Sequence, residues 1–146
     1  MVNATYSTVI DACIEDVWDT IRDFNGLPTW HPRIAKSEIE DGMSPDQVGC
    51  VRKFELANGA VLREKLLELS DQDHCVSYTI LETPQPISNH RATLQLMRVI
   101  DGDRTFAQWS ASFDTSVDDA DALGAGMSEN VFKGGLHALQ KHFSEK

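Results

Sequence analysis

The chain has 146 residues, 41% of them hydrophobic, with a formal net charge of −10 and three cysteines. That length supports one domain, residues 1–146, with a core of its own, and the acidic balance argues against nucleic acid or an anionic membrane as the main partner. No run approaches the roughly 18 apolar residues needed to span a bilayer. The N-terminus lacks the basic-then-apolar pattern of a secretory signal, and Cys13, Cys50 and Cys75 have no metal-ligand spacing, so the expectation is a cytoplasmic protein with reduced thiols and no membrane insertion.

Residues 4–11 alternate and are rich in β-branched side chains, which predicts a strand. Asp11 is placed to cap a helix in which Ile14, Val17, Trp18, Ile21 and Phe24 recur at helical spacing, and Asn25-Gly26 stops it. A short helical turn follows through Trp30, which His31-Pro32 closes because proline restricts the residue before it. Strands are predicted over 34–41, 49–56, 61–70, 74–81, 88–100 and 105–114, with Gly42-Met43-Ser44-Pro45, Thr83-Pro84-Gln85-Pro86 and Asp101-Gly102-Asp103 among the connections.

The last segment changes period: Val131, Phe132, Gly135, Leu136, Leu139 and Phe143 form a helical stripe that extends back toward Asp119. Gly124, Gly126, Gly134 and Gly135 lie in or near this helix, each interior one costing about 1 kcal/mol relative to alanine. Two explanations are open: a kinked start with close helix–sheet packing, or missing side chains that leave room for a ligand. The fold class is α+β: a curved antiparallel sheet of about seven strands wrapped around a long C-terminal helix, with two short helices after strand 1. A sheet closed around one helix need not fill its middle, and that gap suits a small molecule.

Two charges break the inner alternation of neighbouring strands. Arg52 shares a face with Cys50, Phe54 and Leu56, and Glu64 shares a face with Leu62 and Leu66. The hairpin between them contains Asn58-Gly59. A two-residue turn sets Arg52 opposite Lys65, whereas a three-residue loop, Ala57-Asn58-Gly59 with Gly59 left-handed, sets Arg52 opposite Glu64. The second gathers the apolar residues of both strands on one face and is preferred. An arginine there can hold an oxyanion and a carboxylate can move a proton; the plainer reading is a structural cross-strand pair, although burying one costs several kcal/mol per ion.

By the same parity Tyr78, His90 and Trp109 join the inner face. Together with Trp30, Phe54, Phe132 and Leu136 they are the candidate ligand-binding residues, and Arg52 and Glu64 the candidate catalytic ones. Tyr78 and Trp109 equally suit a core or cavity lining, and Trp30 and His31 are expected to pack a short helix near the cavity mouth. Asp114, Asp118, Asp119 and Asp121 lack calcium-loop spacing and read as helix N-terminal charge. There is no phosphate-binding loop, dinucleotide fingerprint, HExxH or GxSxG. No metal or cofactor is expected, and His137 and His142 are five apart, poor spacing for shared ligation.

Ile14-Glu15-Asp16-Val17-Trp18 followed by Asp23-Phe24-Asn25, then Trp30-His31-Pro32, and the long terminal helix with Gly135-Leu136 make the whole chain resemble the START-like, or helix-grip, superfamily (SRPBCC), which includes polyketide cyclase/dehydrase-like proteins and plant pollen-allergen-type carriers. Gly49-Cys50-Val51-Arg52 and Glu64-Lys65-Leu66 are similar to segments of the plant lachrymatory factor synthases, and that resemblance implies functional roles for Arg52 and Glu64. His90 stands where those enzymes carry a tyrosine. The resemblance implies a small hydrophobic or amphipathic ligand in an internal cavity. Three functions are open: a cofactor-independent lyase, isomerase or cyclase; a non-catalytic carrier or sensor; and a protein-interaction module using the region around Trp30 and the 83–89 loop. The sequence leaves the ligand, the pathway and the oligomeric state open.

Overall fold

The computed structural model describes residues 1–145 and contains one seven-stranded antiparallel sheet: β1 Val2–Ile10, β2 Ile34–Ile39, β3 Val51–Leu56, β4 Val61–Ser70, β5 Cys75–Glu82, β6 Ser88–Val99 and β7 Arg104–Asp114. The strand order is β1-β7-β6-β5-β4-β3-β2, a meander from β2 to β7 with β1 added beside β7. This follows from the short links, since antiparallel neighbours need only a tight turn between them. The period-two pattern is clearest in β7, where Thr105, Ala107, Trp109, Ala111 and Phe113 are buried and the residues between them are more open.

Between β1 and β2 lie α1 (Ile14–Ile21) and α2 (Leu27–Trp30). α1 buries Ile14, Val17, Trp18 and Ile21, the stripe expected of an amphipathic helix. Its N-cap is Cys13, with no side-chain cap hydrogen bond, so the capping expected of Asp11 does not occur: Asp11 lies two residues too early. Phe24 lies beyond the helix end, yet it is buried in the core.

The C-terminal helix runs from Val117 to Ser144 as α3 (Val117–Gly126), a π-helical segment over Met127–Lys133, and α4 (Gly134–Ser144), with right-handed helical backbone at both junctions. Ser116 caps it by accepting the Asp119 N–H, and Asp118 and Asp119 sit in the first turn, where negative charge is favoured. The buried side of the helix carries Phe132, Gly135, Leu136 and Leu139. Among the described residues no helix is long and apolar enough to cross a membrane.

Candidate functional site

The hairpin between β3 and β4 sets the site. The Leu56 N–H donates to the Ala60 carbonyl at 2.8 Å, and Gly59 has φ +90°, so Ala57-Asn58-Gly59 is a three-residue loop closed by a left-handed glycine. Arg52 therefore pairs across the ladder with Glu64, and Phe54 with Leu62. A loop one residue shorter would turn one strand's side chains to the other face.

Arg52 and Glu64 are 4% and 5% exposed. Arg52 Nε and Nη2 both donate to Glu64 Oε1, at 2.9 and 2.7 Å, and Nη1 donates to the Phe24 carbonyl at 3.0 Å. The guanidinium carbon lies 3.9 Å from the centroid of the Phe24 ring and 4.7 Å from that of Tyr78, cation–π distances to both. Glu64 Oε2 has no hydrogen-bond partner among the described residues. Burial pushes the Glu64 carboxyl above its ordinary range, against the opposing pull of Arg52. A guanidinium has five N–H donors, so two remain for a ligand.

His90 reaches the same face through an irregularity in β6. The register between β6 and β7 shifts between Ser88 and Arg91, and Asn89 has φ +50°. Such bulges re-aim a side chain. The Ile80 N–H donates to His90 Nδ1 at 3.1 Å, and the Thr79 hydroxyl donates to the His90 carbonyl. With Nδ1 accepting, the neutral ring carries its proton on Nε2, which has no partner among the described residues. Burial holds this imidazole down to about 4, so it is an uncharged donor near neutral pH. Glu64 is opposite Ile80 on β5, and Ile80 is the residue whose N–H fixes His90. Arg52, Glu64, Ile80 and His90 thus form a row across four adjacent strands. In the next row the Trp109 indole N–H donates to the Tyr78 hydroxyl at 3.0 Å, and burial raises the Tyr78 phenol, so it stays protonated.

A cavity of about 200 Å³ lies between this face and the terminal helix. An apolar cavity of about 150 Å³ admits benzene, so the space suits one ring or a short chain. Of the candidate residues, Arg52, Phe54, Glu64, Tyr78, His90, Trp109 and Phe132 line it. Trp30 and Leu136 do not. Trp30 packs 5.8 Å from the Trp109 ring and borders a separate void of about 10 Å³ on the core side rather than the mouth. Leu136 is fully buried beneath the helix. Exposed Asn58, Pro84 and Gln85 also border the cavity, so its mouth lies between the β3–β4 and β5–β6 hairpin loops.

Sequence reasoning missed Arg33, Met127 and Val131 as lining residues, while His31, expected near the cavity mouth, lines the cavity itself. His31 is buried; its Nε2–H donates to the Val131 carbonyl in the π segment at 3.0 Å and its Nδ1 accepts the Arg33 N–H at 3.3 Å. Burial lowers this imidazole to about 4 as well. Only one signal in the sequence bears on this contact, the glycine at 135. A Cβ there would approach His31 Cδ2 and Trp109 Cζ3 at 2.8 Å, so Gly135 serves close packing rather than ligand space.

A curved sheet gripping a terminal helix around a small, largely apolar cavity with a buried arginine–glutamate pair defines a helix-grip protein of the START-like class. The chain matches, over residues 1–144, the family described as polyketide cyclase / dehydrase and lipid transport, and it belongs to that family. Among solved structures it is similar to XoxI from Bacillus cereus (30% identity, 99% of this chain and 96% of that chain covered, TM-score 0.87). A protein from Thermobifida fusca is similar at 31% identity, with 99% and 95% covered and a TM-score of 0.88. One from Nitrosospira multiformis follows at 27%, with 99% of each covered and a TM-score of 0.83. None of the curated proteins matches the chain.

Proposed function

We propose that the chain binds a small molecule with an apolar body in this cavity and moves a proton on it as a cofactor-independent lyase, isomerase or cyclase. The observation that carries the reading is the bare Oε2 of Glu64, a carboxyl raised by burial whose other oxygen is occupied by Arg52. A general base works best with its proton affinity shifted toward the working pH.

In this reading Glu64 Oε2 takes a proton from a carbon adjacent to a ligand carbonyl: the C–H bond breaks, an O–H bond forms, and the electron pair moves onto the carbonyl oxygen. The His90 Nε2–H and the remaining Arg52 N–H groups donate to that oxygen as charge grows on it. Return of the proton to another carbon gives isomerisation. Departure of a group with its bonding pair gives elimination.

A carrier reading is favoured by a different observation: Arg52 and Glu64 already neutralise each other and need no ligand to do so. The two separate in one experiment. Small molecules released from the denatured protein are identified by mass spectrometry and returned to fresh protein in deuterated water. Product, or deuterium at carbon, that disappears in Glu64→Gln and Arg52→Leu supports the enzyme. Saturable binding without either overturns catalysis in favour of the carrier.

A further inference from the structure

Three charged residues line the cavity: Arg33, Arg52 and Glu64. Both histidines on its wall are neutral near pH 7 because burial lowers them to about 4. Two arginines against one glutamate give the residues around the cavity a positive balance, in a chain whose net charge is −10. Arg52 is matched by Glu64. Arg33 has no carboxylate partner among the described residues, whereas Arg22, Arg63 and Arg98 each hold one or two.

The backbone around Arg33 is fixed on both sides. Its N–H donates to His31 Nδ1, and its carbonyl accepts the Ala57 N–H at 2.8 Å from the hairpin loop at the mouth. The loop residues that share the cavity border, Asn58, Thr83, Pro84 and Gln85, are all uncharged. An arginine on a mainly apolar wall, with no ion pair of its own among the described residues, has the makings of an anion site.

We infer that the cavity takes an amphipathic monoanion, a carboxylate on a small apolar body, with Arg33 holding the charged group and the apolar body reaching inward. This rests on the ligand-binding reading above and assigns Arg33 the part of selecting ligand charge. The deeper Arg52–Glu64 pair stays free to face the other end of the molecule.

Phenylacetate, phenethyl alcohol and phenethylamine share one apolar body and differ in charge, and each is titrated into the whole chain by tryptophan fluorescence and NMR. Phenylacetate is expected to bind about tenfold or more tightly than the alcohol, as a charge-assisted contact provides, with added salt narrowing the gap. Arg33→Gln removes the preference for phenylacetate over the alcohol, and Arg33→Lys restores it in part. Alcohol or amine binding as tightly as phenylacetate, or a preference that survives Arg33→Gln in a variant of native thermal midpoint, overturns the inference while leaving the ligand cavity standing. Failure of all three probes to bind overturns both.

Discussion

Arg52 meets only one of the two oxygens of Glu64: Nε and Nη2 converge on Oε1. A side-by-side fork, one N–H to each oxygen, is the familiar alternative for arginine and a carboxylate, and it would have occupied the whole acid. The convergent arrangement keeps the pair together while leaving Glu64 one free oxygen.

Breaking this pair from one side leaves a buried charge unmatched. Arg52→Met and Glu64→Gln are each expected to lower stability by about 3 kcal/mol, read from urea denaturation. The double variant Arg52→Met/Glu64→Gln loses less than the sum of the singles, because no isolated charge remains. Additivity within error would mean that the two groups do not act as a pair.

The hairpin offers a cleaner experiment on backbone strain. A Cβ on Gly59 meets nothing within 4 Å, so Gly59→Ala tests its left-handed φ alone. The expected loss is about 1 kcal/mol, with the Arg52–Glu64 register unchanged. A neutral result would show that the loop has relaxed to another conformation.

Adjacent glycines in the terminal helix should behave oppositely. At Gly134 the nearest atom to an added Cβ is 3.7 Å away, so Gly134→Ala is expected to stabilise by about 1 kcal/mol through helix propensity. At Gly135 the added methyl meets His31 and Trp109 at 2.8 Å, and overpacking costs about 1–3 kcal/mol. Gly135→Ala should also alter the near-ultraviolet circular dichroism of Trp109. Equal thermal midpoints for the two variants would contradict this packing.

Stability should fall as pH drops from about 6.5 toward 4. His31 and His90 are held neutral in the folded protein down to about 4, against 6.5 unfolded, so the unfolded chain binds more protons across that window. The loss is on the order of a few kcal/mol for each of the two. Glu64 acts oppositely: its raised folded-state affinity for a proton contributes stability at low pH that is lost as pH rises above its unfolded value. His90→Gln, which keeps an acceptor for the Ile80 N–H, should flatten the acid-side slope of the urea midpoint. An unchanged slope would mean that His90 titrates normally.

The sheet, the helix and the Arg52–Glu64 register were legible because they rest on local rules: alternation, a helical stripe, and a loop length that gathers apolar residues on one face. The His90 position followed from parity, although the Asn89 bulge that aims it gives no pattern of its own. Trp30 was misplaced because aromatic character cannot tell a cavity wall from the packed layer behind it; Trp109 lies between the two. Val131 was not legible as a lining residue because its place at the cavity depends on a contact with His31, a hundred residues away in the chain.

Asn58, Pro84 and Gln85 border the cavity yet belong to exposed turns that contribute nothing to the packed interior. At Pro84 and Gln85 the border of the cavity can therefore change without disturbing the packed interior, whereas the β3–β4 loop that carries Asn58 also fixes the Arg52–Glu64 register.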